Sequence, residues 1–338
     1  MSATEGVAPV PAASGRGTLL QRARASLVAG VSWLACRLPE GPLIRLSGPL
    51  GALWYRLAPR RAAQARRNMR RIAGWLAERE MGPPEARAAA TDPVALERLV
   101  RELFRSAARY YIELTRTPVM GGSYALARTV IDDPEVLDEA LDRLDGTMFI
   151  GLHLGSIELP AAYLTARTGR ATLAPMETVP DPALQRFLER SRARAGIVAV
   201  PIRDARRLLT AAIARGDTVG IVADRDVTGT GVEVELFGAP ARLPVGPALL
   251  AVETGARVFT AAVRWGPSGR YLARVERLSI PAEGSRRERI VATLAALARS
   301  MERQVAIAPG QWWAAFHPIW PDLAGAEDRG PRRPMSDR

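Results

Sequence analysis

The chain has no lysine: all 47 of its basic side chains are arginine. That absence excludes a Walker-type phosphate loop, a pyridoxal-phosphate Schiff base and a kinase-type catalytic lysine. A single cysteine, Cys36, excludes an intrachain disulfide framework and points to a reducing compartment. Two histidines and one cysteine are too few for a zinc site of protein ligands, and His-Glu-x-x-His is missing, so no metal is expected. Nor is there a Gly-x-Ser-x-Gly of a serine hydrolase; Gly155-Ser156 and Gly266-Pro267-Ser268-Gly269 are near misses. Gly229-Thr230-Gly231 is no dinucleotide fingerprint, because a strand-like run from Val232 to Phe237 follows it instead of a helix; it reads as a loop or hairpin. Neither apolar stretch near the N-terminus reaches the about 20 residues that a membrane-spanning helix needs.

What is present describes a folded protein of 338 residues, 48% hydrophobic and 24% charged. Its net charge of +12 favours an anionic partner, either nucleic acid or an anionic membrane surface. Residues 1–17 and 324–338 have the composition of disordered tails. Between them, Ala25 to Cys36 is apolar and bracketed by Arg24 and Arg37. A second stretch, Leu43 to Ala58, carries Trp54 and Tyr55. An arginine run then holds Arg60, Arg61, Arg66, Arg67, Arg70 and Arg71 and closes at Trp75. Apolar helices with Trp and Tyr beside arginines predict an interfacial helical membrane anchor over residues 18–76. A buried helical hairpin with a solvated basic flank is the plainer account. A nucleic-acid partner is not expected, since no binding motif accompanies the charge.

The rest, residues 77–323, reads as one α/β domain. A helix is expected over Leu96–Arg116, with Tyr110 and Tyr111 in the core. Strands are expected at Thr147–Leu152, Ala171–Met176, Ile197–Pro201, Thr218–Ala223, Arg257–Arg264 and Tyr271–Arg277. Helices are expected at Ile157–Ala166, Pro182–Arg194, Ala205–Arg215, Gly246–Thr254 and about Arg286–Val305. This alternation predicts a mostly parallel central sheet flanked by helices.

The chemistry concentrates in His153-Leu154-Gly155-Ser156-Ile157-Glu158. Residues five apart fall on different faces of a helix, so His153 and Glu158 meet only if the chain turns between them. Gly155 allows the turn, and Ser156 can cap the helix beyond it. His153 would then end a strand as a general base, with Glu158 in the first helical turn holding its orientation. A second strand end brings Asp224-Arg225-Asp226 towards the same crevice. His317, in Trp312-Trp313-Ala314-Ala315-Phe316-His317, is expected to be structural or to line an apolar approach.

His-x4-Glu at a strand end, Ala223-Asp224-Arg225-Asp226, the block Phe237 to Ala248 and Gln311-Trp312 together resemble the bacterial lipid A biosynthesis (lauroyl/myristoyl) acyltransferase family. The resemblance covers roughly residues 19–323. The second half looks most like the phosphatidylinositol mannoside acyltransferase branch, although that branch commonly has Asp where Glu158 stands. The resemblance implies a membrane-associated enzyme that moves a fatty acyl group from a thioester, on coenzyme A or acyl carrier protein, to a glycolipid hydroxyl, without a cofactor. It implies catalytic roles for His153 and Glu158 and site positions for Glu177, Arg192, Asp224, Asp226 and Arg242, with Arg190 and Arg194 close alternatives to Arg192. The implied location is the cytoplasmic face of the inner (plasma) membrane, peripheral or monotopic. A lipid A precursor or a lysophospholipid is the rival acceptor, and a non-catalytic basic membrane scaffold the rival of another class.

Overall fold

Strands buried on both faces must be covered by helices, and the alternation of strand-length apolar runs with amphipathic segments imposes a layered arrangement. The computed structural model describes residues 18–143, 146–227 and 229–325. The strands are β1 Thr129–Ile131, β2 Thr147–Gly155, β3 Thr172–Met176, β4 Ile197–Pro201, β5 Thr218–Val222, β6 Val232–Leu236, β7 Ala239–Leu243, β8 Arg257–Trp265 and β9 Tyr271–Leu278. Seven of them form one sheet in the order β1-β9-β8-β2-β5-β3-β4, while β6 and β7 form a separate antiparallel hairpin. Every pairing in the large sheet is parallel except β8 with β9. That pair is joined by a short turn through Pro267–Gly269, which only antiparallel neighbours allow. The mostly parallel sheet expected from the sequence is therefore present. Three-residue β1 on its edge is an addition, too short to show a period of its own.

Among the described residues, seven helices precede the first strand: α1 Leu19–Arg37, α2 Glu40–Arg45, α3 Ser47–Leu57, α4 Pro59–Glu78, α5 Pro84–Ala88, α6 Pro93–Arg116 and α7 Gly122–Arg128. Six more alternate with or follow the strands: α8 Pro134–Leu141, α9 Leu159–Thr168, α10 Pro182–Arg194, α11 Ile202–Ala214, α12 Gly246–Thr254 and α13 Arg286–Ile307. The long helix α6 starts where Asp92 caps it and Pro93 fits its first position. Its Leu96, Leu99, Val100, Leu103, Phe104 and Ala107 recur at helical spacing and are buried. Near its far end Glu113, fully buried, accepts hydrogen bonds from the Trp265 indole (2.7 Å), the Tyr271 hydroxyl (3.1 Å) and Arg109 (2.9 Å), which ties α6 to β8 and β9. Helix α3 crosses α6 at Gly51, where a Cβ would come within 2.7 Å of the Arg105 Cα, so only glycine permits the approach.

One hydrophobic core runs across the boundary expected at residue 76: Ala65, Met69, Ile72 and Leu76 of α4 pack into it with residues of the sheet. Part of the arginine run faces this body. Arg66 pairs with Glu97 at 2.7 Å, Arg67 donates to the Leu323 carbonyl at 2.8 Å, and Arg71 pairs with Asp322. The exposed large apolar side chains gather instead on α1 (Leu20, Leu27, Val31, Leu34) and α3 (Leu50, Leu53, Leu57). Among the described residues, no helix is long and apolar enough to cross a membrane. The expected tails, 1–17 and 324–338, lie outside the described residues save for Ala324 and Gly325.

Candidate active site

Strand β2 lies inside the sheet with β5 on one side and β8 on the other. It pairs with both as far as Gly151, then slips in register and rejoins β8 at Gly155, opposite Val263. His153 sits within this irregular end, two residues past the last β5 pairing. Gly155 has φ +59°, and a Cβ there would lie 2.0 Å from the Val263 carbonyl oxygen, so the turn requires glycine. The turn expected at this position is present, but Ser156 does not cap the next helix. Helix α9 begins later, at Leu159, after Glu158 and without a side-chain cap. Pro160 accounts for the shift, because its fixed φ and missing N–H suit the first turn.

The carboxylate on the histidine is Asp224, not Glu158. Asp224 leaves the end of β5, the strand beside β2. One of its oxygens lies 2.6 Å from His153 Nδ1, and the other accepts the backbone N–H of His153 at 2.8 Å and the Trp312 indole N–H at 2.6 Å. Burial alone pushes the Asp224 carboxyl up. The nearby His153 and the hydrogen bonds from His153 and Trp312 outweigh that and hold it below the usual range. Facing an ionised carboxylate, Nδ1 carries the proton of the neutral ring, which leaves the Nε2 lone pair to accept one. Trp313 stands edge-on to the His153 ring at 4.5 Å and stacks on Tyr110 at 4.6 Å. Leu154 bridges to Trp312, so the aromatic segment after α13 clamps the end of β2.

Glu158 is buried a turn away in a separate set of contacts. Its Oε1 accepts the Tyr110 hydroxyl at 3.1 Å and the Arg192 guanidinium at 3.3 Å. Burial and the Glu158 charge push the Tyr110 hydroxyl far above its ordinary range, so it stays a donor. The expectation that Glu158 orients His153 is thus corrected. The left-handed turn at Gly155 turns Glu158 towards α6 and α10, while Asp224 arrives on Nδ1 from the neighbouring strand.

Of the other expected site residues, Arg192 joins Glu158 and also lies 2.9 Å from the Met176 sulfur. Glu177 follows β3 and is exposed. Asp226 turns to its own loop, accepting the Gly231 N–H at 2.8 Å. Arg242 is exposed on β7, across the hairpin from Glu233. His317 is partly buried. Burial first, then the charges of Arg225 and Arg61, push its pKa down to about 4. Its ring therefore lies within electrostatic reach of the site. Tyr110 was legible only as a core aromatic and Trp313 only as part of an aromatic segment; nothing in their spacing marks them as neighbours of Glu158 and His153.

An apolar cavity of about 90 Å³ flanks the end of β2, lined by Leu152, Leu154, Ile157, Ala174, Ile221 and Val263 among others. A smaller one of about 30 Å³ lies alongside and shares Phe149, Pro160 and Ala261 with it. Among the described residues, no group of three His, Cys, Asp or Glu side chains is placed to hold a metal ion.

A carboxylate-held histidine at a strand end of a mostly parallel sheet is an arrangement that can accept a proton at its free ring nitrogen. The chain belongs to the bacterial lipid A biosynthesis acyltransferase family, whose pattern it matches over residues 14–321. It is 34% identical over 235 residues to the phosphatidylinositol mannoside acyltransferase of Mycobacterium tuberculosis, covering 67% of this chain and 68% of that protein. It is 31% identical over 165 residues to the protein of the same name from Mycolicibacterium smegmatis, covering 48% of this chain and 54% of that one.

Proposed function

We propose that this acyltransferase moves a fatty acyl group from an acyl thioester to a sugar hydroxyl of a glycolipid such as a phosphatidylinositol mannoside, with His153 as general base and Asp224 as its orienting partner. The observation that carries the reading is the 2.6 Å contact between Asp224 and His153 Nδ1, made by a buried carboxylate held in its charged form. Nε2 takes the proton from the acceptor hydroxyl as that oxygen attacks the thioester carbonyl. Asp224 fixes the tautomer and stabilises the imidazolium that forms. The tetrahedral intermediate then collapses: the C–S bond breaks, the ester remains on the sugar, and the thiolate takes the proton back from Nε2. Arg192, held by Glu158, or backbone N–H groups at the start of α9 supply donors to the developing oxyanion. Glu158 then acts through Arg192 and Tyr110 and not on the imidazole. The chemistry asks for no covalent intermediate on the enzyme.

The apolar cavity at the end of β2 has the lining chemistry an acyl chain needs, and it is assigned to that chain. Exposed leucines on α1 and α3 and the net charge of +12 support attachment to the cytoplasmic face of an anionic inner membrane. Glu177 and Asp226 follow the strands β3 and β5 and are assigned to the outer binding surface, as is Arg242 on the β6–β7 hairpin.

The test is acyl transfer from labelled palmitoyl-CoA to a panel of phosphatidylinositol mannoside, lipid A precursor and lysophospholipid acceptors in detergent. A labelled product that wild type makes and His153→Ala does not is the expected result, and the acceptor used names the substrate. Product on lipid A precursor alone would replace the acceptor assigned here. No transfer from either palmitoyl-CoA or palmitoyl-acyl carrier protein would favour a membrane scaffold over an enzyme.

A further inference from the structure

A second cleft, apart from the His153 site, opens beside the crossing of α3 and α6. It measures about 420 Å³ and is walled by Gly48, Ala52 and Arg56 of α3 and by Arg98, Arg101 and Arg105 of α6. The α6 arginines recur at intervals of three and four residues, so they line one face of that helix. Gly48 and Ala52 put almost no side chain into the space between. Arg101 is partly compensated, 4.0 Å from Glu97 and stacked over Tyr55. Among the described residues Arg56 and Arg98 make no ion pair, while Arg105 acts through its charge on Glu102. Glu102 also borders the cleft, with its carboxyl against Gly310; burial raises its pKa and the charge of Arg105 opposes that.

Four guanidiniums against one carboxylate around a cleft of this size match a compact oxyanion, and their planar forks match phosphate oxygens in particular. The rim tells which phosphate. Val94, one turn before Arg98 on the same face, is 57% exposed, and Leu53 and Leu57 beside Arg56 are 50% and 73% exposed. Apolar side chains bordering a cationic cleft suit a phosphate that arrives with acyl chains beside it, at the depth of a lipid headgroup. A phosphate ester in solution would have no use for that rim.

We propose that this cleft binds the phosphate of an anionic phospholipid headgroup and seats the protein on the membrane. The choice of a lipid rests on the proposed reading as a lipid-modifying enzyme, whereas the cleft and its charge do not.

The experiment is sedimentation of the full chain with phosphatidylcholine vesicles, with and without phosphatidylglycerol. Each arginine near an anionic surface contributes about fivefold in affinity, so the Arg56→Gln/Arg98→Gln/Arg105→Gln variant should bind the phosphatidylglycerol vesicles on the order of a hundredfold more weakly. Arg143→Gln/Arg287→Gln/Arg299→Gln removes the same charge elsewhere on the surface and should bind almost as wild type does. Equal loss in both variants, or no preference of wild type for phosphatidylglycerol, would overturn the proposal. So would release of the bound protein by millimolar glycerol 1-phosphate, which would make the occupant a soluble phosphate. Should the triple variant fail to fold, Arg98→Glu at its exposed position repeats the comparison. Transfer measured in detergent keeps the two readings separate: the cleft variant retains it there, and the vesicle result stands whether or not transfer is found.

Discussion

At the scale of single residues, the site depends on which atom of His153 each neighbour engages. Asp224 engages Nδ1 and the backbone N–H together, which fixes both the ring and the strand end that carries it. Asp224→Asn preserves shape but can present its amide N–H to Nδ1, which favours the tautomer with the proton on Nε2. Transfer should fall by about two to four orders of magnitude in kcat with a small change in KM. Glu158→Gln should be milder, because its partners are Tyr110 and Arg192 and the imidazole keeps Asp224. Steady-state rates of the two variants decide the matter: if Glu158→Gln costs as much as Asp224→Asn, the division of roles is wrong.

His317 gives a residue-scale prediction in pH. Its pKa is depressed to about 4 in the folded protein, against about 6.5 for a free histidine. The unfolded chain therefore binds the proton first as pH falls. The neutral ring's contribution is fully present above about pH 6.5 and is lost as pH drops towards 4. Since the ring is partly open to solvent, the effect is discounted to at most ~2 kcal/mol. Denaturant unfolding of wild type and His317→Asn at pH 7 and pH 4.5 should show the variant losing less stability on acidification. Parallel loss in both would remove His317 as the cause.

At the scale of elements, the irregular end of β2 is the part on which the site turns. Gly155→Ala asks a residue with φ +59° to place a Cβ 2.0 Å from a carbonyl oxygen, so β2 and β8 must separate locally. A stability loss of at least ~1–3 kcal/mol and a large loss of transfer are expected, read by thermal unfolding and by the assay together. A variant that unfolds like wild type would show that the strand end tolerates another path. Ala174 on β3 faces the apolar cavity, and Ala174→Phe should fill part of it. Transfer from palmitoyl thioester should drop about tenfold or more while butyryl transfer changes little, since each buried methylene contributes about 0.8 kcal/mol. Equal losses for both chain lengths would move the acyl site elsewhere.

The same elements show where sequence reasoning succeeds and where it stops. Strands β4 and helices α10 and α12 end where their apolar periods and caps say they should, because those signals are local: Asp181 with Pro182 starts α10, and Gly255 in the left-handed region ends α12. The convergence of His153 and Asp224 was legible as two strand ends meeting in one crevice. Their pairing was not, since it depends on β2 and β5 being adjacent although β3, β4 and several helices separate them in sequence. Proximity in the chain favoured Glu158, and the turn at Gly155 sends that residue elsewhere. The packing of α4 was hidden in a similar way: its arginine run does not show that Asn68 is buried and donates to the carbonyls of Ala315 and His317.

At the scale of the whole molecule, charge and exposed apolar surface gather on the N-terminal helices, away from the core that the sheet organises. On α1, Leu20, Leu27, Val31 and Leu34 follow one another along a single face with exposures from 50% to 70%, while Ser32 and Ala35 face the body and Ser32 donates to the Thr115 carbonyl. A stripe of this kind inserts into the headgroup boundary, and its contribution does not depend on salt, whereas that of arginines does. Vesicle binding should therefore have two separable parts. Leu27→Asp/Leu34→Asp should abolish the part that survives high salt, because each buried leucine contributes about 1.5–3 kcal/mol and an aspartate there is repelled by anionic lipid. The α3–α6 arginine variant should instead abolish the part that salt weakens. If the α1 variant keeps its salt-resistant binding, the leucine stripe faces something other than the membrane, and the enzyme would then meet its lipid through charge alone.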